Sequence, residues 1–227
     1  MTKLQILIKG DIINLCKPTL KFAKGDIWFK WLNDPLIVKN LHTKYYKLNN
    51  TKKKQASFFL KENKKRLILI ISTKAHEYKG VVSLSNFNKK NQSCEVALIT
   101  DSKVEPELAP YAGLESIALI TEYAFKKLNI KTINGAGKTA VKNWQQRMEL
   151  FGYKFQTLIK SKKEYIFTVK CTYKDYKKII LKRKKLWDNL NSMKKRIKKL
   201  PMNSFQKKYL KLNVLDKEFY YNRVFNL

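Results

Sequence analysis

Ser93-Cys94-Glu95-Val96-Ala97-Leu98-Ile99-Thr100, then Tyr111-Ala112-Gly113-Leu114-Glu115, then Lys131-Thr132-Ile133-Asn134-Gly135-Ala136 is the stretch that decides the fold. The first run alternates and is rich in apolar residues, which predicts a strand. The second, small and glycine-bearing, reads as a loop that opens a helix. In that helix Ile117, Ile120, Thr121, Ala124, Phe125 and Leu128 recur at the spacing of one apolar face. The third run is another strand, and a last helix from Thr139 closes at Phe151-Gly152. A strand, small-residue loop, helix, strand, helix order suits a phosphate-bearing coenzyme. Backbone amides and a helix N-terminus at the loop both favour anions.

Upstream, Leu4 to Ile8 and Ile12 to Cys16 are β-like runs around Lys9-Gly10-Asp11, a turn signal for a hairpin. Thr19 is placed to cap a helix that buries Phe22, Ala23, Ile27 and Trp31 and stops at Asn33-Asp34-Pro35. Thr51 to Asn63 predicts a second helix with Ala56, Phe59 and Leu60 inward. Strands follow at Leu67 to Thr73, Gly80 to Phe87 and Ser93 to Thr100, and a final hairpin joins Tyr153 to Ile159 with Tyr165 to Cys171. The expected class is α/β, a mixed, mostly antiparallel sheet flanked by helices. From Thr172 the composition changes: residues 172–227 carry a net +13, against +19 for the first 171. Tyr176, Ile179, Leu186, Leu190, Met193, Ile197 and Leu200 form a heptad-like stripe there. The expected organisation is a domain over residues 1–171 and a basic helical extension over 172–227.

The formal charge of +32 points to anionic partners, nucleic acid among them. Arginine supplies only Arg66, Arg147, Arg183, Arg196 and Arg223 of the 49 cations, however. Nucleic-acid readers lean on arginine for bidentate and stacked contacts, whereas a lysine excess is also what an AT-rich genome writes at tolerant surface positions. The longest apolar run, Leu67 to Ile71, is far short of a membrane span, and the first residues lack a signal-peptide core, so a cytoplasmic location is expected. Cys16, Cys94 and Cys171 are odd in number and far apart, and with His42 and His76 they make no zinc spacing, so no metal is expected.

Three passages give the chain a resemblance to a known family. Trp31-Leu32-Asn33-Asp34-Pro35 with Val38 looks like "W-x-N-D-P-x-V". Gly80-Val81-Val82-Ser83-Leu84 with Cys94-Glu95-Val96-Ala97-Leu98 looks like the strand pair "G-x-x-x-L … x-E-I-G". Gly113-Leu114-Glu115-Ser116-Ile117 with Tyr123-Ala124-Phe125, and Met148-Glu149-Leu150-Phe151-Gly152-Tyr153, look like "G-T-E-A-L … Y-A-F" and "E-K-L-G-F". In this order, over about residues 4 to 171, they resemble the GNAT superfamily of acetyl-coenzyme A dependent N-acetyltransferases, in the branch that acetylates amino sugars and ribosomal proteins. The phosphate loop departs from that family's Q/R-x-x-G-x-G/A: Leu108 and Tyr111 stand for the Gln/Arg and the first Gly, Pro110 has no amide, and Gly113 alone is retained. Met148 stands where a tyrosine often serves as general acid. Either the acid is elsewhere, or a bulk proton source acts, or this member is impaired.

The resemblance implies acetyl transfer from acetyl-CoA, as cosubstrate, to a primary amine. It places the coenzyme by Ile99, Thr100, Tyr111, Ala112, Gly113, Leu114, Asn134, Lys138 and Asn143, with Glu95 as base. Glu95 is equally readable as a solvated or ion-paired strand residue. Trp31, Asn33, His42 and Tyr45 are the substrate-binding candidates, and an amino sugar on a nucleotide diphosphate is the expected acceptor. A protein N-terminus or lysine is the alternative acceptor. A non-catalytic GNAT-like protein using its basic tail on RNA, ribosomes or a membrane surface is the alternative class.

Overall fold

Leu67-Ile68-Leu69-Ile70-Ile71-Ser72-Thr73 is buried at every interior position, as a β-branched run covered on both faces must be. It is β3 of an eight-stranded sheet in the computed structural model, which describes residues 4–38, 51–105, 108–138, 148–161 and 164–181. The other strands are β1 (Ile6–Lys9), β2 (Ile13–Cys16), β4 (Tyr78–Asn88), β5 (Ser93–Thr100), β6 (Thr132–Lys138), β7 (Lys154–Ser161) and β8 (Glu164–Thr172). Their order is β1-β2-β3-β4-β5-β6-β8-β7, antiparallel throughout except for the parallel pair β5 and β6. The helices are α1 (Leu20–Lys24), α2 (Asp26–Asn33), α3 (Pro35–Val38), α4 (Lys52–Glu62) and α5 (Ala109–Lys127). By contacts the chain separates into Met1–Asp175, which holds the sheet, and Tyr176–Leu227.

One face of the sheet carries the short helices. Phe22, Trp28, Trp31, Ile37 and Phe59 pack there with Ile68, Ile70 and Val81, and Tyr78 and Ile99 lie against the cluster. The other face carries α5, whose Thr121 hydroxyl shares a buried 2.8 Å hydrogen bond with Tyr153. Successive strand residues point to opposite faces, so Glu95, Ala97 and Ile99 look toward the short helices and Cys94 and Val96 toward α5.

Thr19 caps α1 as expected, accepting from the Phe22 amide at 3.1 Å. The single helix expected over residues 19–33 is instead broken at Gly25, whose extended backbone ends α1 and starts α2. The break turns the apolar face. Trp28 is buried and Ile27 is exposed, the reverse of an unbroken helix. In α4 Phe59 faces inward, but Gln55 takes the expected place of Leu60 and donates to the Ala23 carbonyl at 2.8 Å. The α5 helix starts at Ala109, so Tyr111, Ala112 and Gly113 lie within its first turns and not in a loop.

One polar contact ties the front of α5 to the first hairpin. Glu115 is buried, and its carboxylate accepts from the amides of Asp11, Ile12 at 3.2 Å and Ile13 at 3.0 Å. A Cβ at Gly10 would stand 2.5 Å from that carboxylate, which is why the turn needs glycine. Burial pushes the Glu115 carboxyl up, against the pull of the Ile13, Ile12 and Asp11 amides. A raised folded pKa adds stability that is complete below the unfolded value of about 4.3 and fades as pH rises through the folded value. Replacing Glu115 by Ala leaves buried amides without an acceptor and should cost about 1–3 kcal/mol in urea unfolding. The cost should be largest near pH ~4 and shrink toward neutrality while staying positive.

Candidate functional site

Strands β5 and β6 pair through Ser93↔Thr132, Cys94↔Ile133 and Glu95↔Asn134, and no further. Beyond Glu95, β5 runs on to Thr100 along β4, and beyond Asn134, β6 runs on to Lys138 along β8. The two arms therefore diverge from an apex at Glu95 and Asn134. Among the described residues no strand fills the space between them. Behind the apex the packing is tight. A Cβ at Gly135 would meet Val169 at 3.1 Å, Val96 at 3.5 Å and Met148 at 3.7 Å.

Glu95 and Asn134, being paired in register, look to the same face, the one that carries the short helices. Glu95 is exposed and accepts from Asn86 Nδ2 at 2.7 Å. Around it the floor is made of small groups, Ser83 opposite Ala97 and Ser85 opposite Glu95. Ile99 is half-buried at the edge of the helical cluster, and Thr100 is half-buried beside Gly80.

At the far end of the β5 arm, the Ala112 amide donates to the Leu108 carbonyl at 3.0 Å and so belongs to the helix ladder. The amides that a helix starting at Ala109 leaves over are those of Ala109 and Tyr111, since Pro110 has none. The Ala112 amide is thus taken up by the ladder, and the amides without a partner inside the helix lie before it. Beside Gly113 there is room: a Cβ there meets no atom within 4 Å. Leu114 is half-buried, and Lys138 is buried at the end of the β6 arm.

The acceptor candidates fare differently. Trp31 is 4% exposed, with its ring tilted against Phe22, so it is a core residue with no face for a substrate. Asn33 directs its side-chain amide to the Phe29 carbonyl at 2.8 Å. His42, Tyr45 and Asn143 lie outside the described residues. Sequence reasoning missed Asn86, which shows itself only as one Asn of Asn86-Phe87-Asn88 before the turn. It also missed the Ser102 hydroxyl, which donates to Asp34 and ties the β5–α5 loop to the end of α2. That hydroxyl and the Leu36 amide hold the Asp34 carboxyl below its ordinary range. Among the described residues no group of His, Cys, Asp and Glu could hold a metal ion, and no helix is long and apolar enough to cross a membrane.

No protein-family model and no curated protein matches the sequence. Solved structures do match in shape. Spermidine N-acetyltransferase from Vibrio cholerae, in complex with CoA and spermine, superposes with a TM-score of 0.61 at 13% identity, over 74% of this chain and 99% of that one. The fold is the GNAT fold. A GCN5-related N-acetyltransferase from Brucella melitensis gives 0.59 at 14% identity, over 77% and 81% of the two chains. FdhC, described as a nucleotide-linked sugar GNAT, gives 0.58 at 17% identity, over 79% and 97%.

The hollow beside Gly113 separates folding from binding. Gly113→Ala removes a helix-interior glycine and fills empty space, so it should raise the unfolding free energy by about 0.4–1 kcal/mol. If the hollow belongs to a ligand site, the same variant should weaken acetyl-CoA binding in calorimetry.

Proposed function

We propose that this chain is an N-acetyltransferase of GNAT type, moving acetyl from acetyl-CoA to the primary amine of an amino sugar carried on a nucleotide diphosphate. The observation that carries the reading is the parallel pairing that stops at Glu95↔Asn134 and opens a cleft between two strand arms. The cleft fits an extended, amide-rich chain, because backbone donors and acceptors face it from both sides. Ile99 and Thr100 on one arm, with Asn134 and Lys138 on the other, would hold the pantetheine arm. The Ala109 and Tyr111 amides, at the positive end of α5, would meet the pyrophosphate. The thioester supplies an activated acetyl group.

Glu95 would take the proton from the acceptor ammonium, which attacks only as the free amine. Its exposed place at the apex, beside the exposed Ala97 and the small Ser83 on the face that carries the short helices, leaves an approach for an amine. Among acceptors, the charge discriminates. A field of +32 repels a polyamine and draws in a diphosphate, by long-range attraction that salt screens. That argument separates this chain's acceptor from the polyamine of the Vibrio cholerae enzyme, and the nucleotide-linked sugar of FdhC agrees with it.

Calorimetry with acetyl-CoA at moderate salt should show saturable binding, and its absence would sink the enzyme reading. Thiol release with a panel of nucleotide-linked amino sugars, polyamines and N-terminal peptides should respond to the sugars; activity on peptides or polyamines alone overturns the acceptor. Binding without thiol release on any acceptor would make the chain a coenzyme-binding protein instead. Glu95→Gln should lower kcat/KM by about 10²–10⁴ while leaving the acetyl-CoA Kd within about twofold.

A further inference from the structure

We propose that Asn86 is a positioning residue for Glu95, set there by a bulge in β4. The inference rests on the reading of Glu95 as the base. Strand β4 pairs with β5 at Ser85↔Glu95 and next at Asn88↔Ser93, so three steps on β4 answer two on β5. In a regular ladder Asn86 would stand opposite Cys94 and point to the buried face under α5. The extra residue changes that. Asn86 takes a left-handed backbone, φ 51°, is exposed, and donates its side-chain amide to Glu95 Oε2 at 2.7 Å. Bulges re-aim side chains in this way, and they concentrate near active sites.

The residue type supports a role beyond the turn. Glycine adopts a positive φ at no steric cost, whereas asparagine tolerates it and brings an amide. That amide holds one carboxylate oxygen, Oε2, and does not engage the other. It is also neutral. In a chain with 49 cations, a lysine partner would favour the ionised carboxylate and weaken it as a base, while an amide orients it without adding charge.

The test uses Asn86→Gly, which keeps the backbone and removes the amide, alone and combined with Glu95→Gln in the full chain. We expect Asn86→Gly to lower kcat by about tenfold to a hundredfold. The acetyl-CoA Kd and the urea midpoint should stay near wild type, and the variant should have no further effect on kcat in the Glu95→Gln background. An equal loss in both backgrounds, or no loss in a chain that Glu95→Gln disables, overturns the positioning role and leaves the base in place. A fully active Glu95→Gln overturns the base, and with it this inference. Crystals of Asn86→Gly give a readout without turnover: Glu95 spread over several rotamers supports the proposal, and Glu95 unmoved refutes it.

Discussion

The cleft exists because two neighbouring strands are each held along their whole length by someone else. β4 pairs with β5 from Ser93 to Thr100, and β8 pairs with β6 from Thr132 to Lys138. Between β5 and β6 the ladder lasts only three pairs. Adjacent strands in a sheet rotate by about 20–25° relative to one another, so two arms without a mutual ladder drift apart with every residue. At the apex the three-pair ladder keeps them close, and a Cβ at Gly135 would press on Val169 of β8 at 3.1 Å.

Helix α5 connects the two arms along the chain, and its front end is fixed from a distance. The Glu115 carboxylate reaches the amides of Asp11, Ile12 and Ile13, about a hundred positions earlier in the chain, and these belong to the hairpin at the edge of the sheet. A buried carboxylate is costly unless its lone pairs are met, and here three consecutive amides meet them. The consequence reaches the cleft, because Gly113 and its hollow lie within one turn of Glu115. The helix start is therefore set by a backbone–carboxylate contact and not by a cap, Leu108 having no side-chain oxygen to offer.

Much of the fold was legible in the residues, for reasons that can be named. Leu67–Thr73 and Ser93–Thr100 came out with the expected bounds because β-branched and apolar runs flanked by polar turns allow little else. Thr19 was readable as a cap because its hydroxyl can accept an amide of the next turn, and Thr51, read only as the start of a helix, caps α4 in the same way. Gly25 hid inside an apolar periodicity that looked continuous, and its break sent Trp28 into the core and Ile27 out. Trp31 was a substrate-binding candidate as well as a helix-core residue, and a large apolar ring near the buried Phe22, Trp28 and Phe59 gains more from burial than from exposure. Asn86 was invisible for a different reason. A one-residue bulge leaves no trace in composition or period, and it alone decides which face the amide reaches.

The proton for the departing sulfur follows from what surrounds the apex. Met148 is 2% exposed, lies against the Gly135 position, and has a thioether with no proton to give. The phenol of Tyr153 lies on the same buried side, where burial raises its pKa well above the ordinary phenol value and its hydroxyl is engaged with Thr121. Neither group suits a general acid. Under the proposed reaction the departing thiolate therefore takes its proton from water or from a group outside the described residues. The demand on the protein then falls on the other side of the reaction, on the carboxylate that must free the amine. That is the side on which the structure has invested a bulge, a left-handed asparagine and an open floor of serine and alanine.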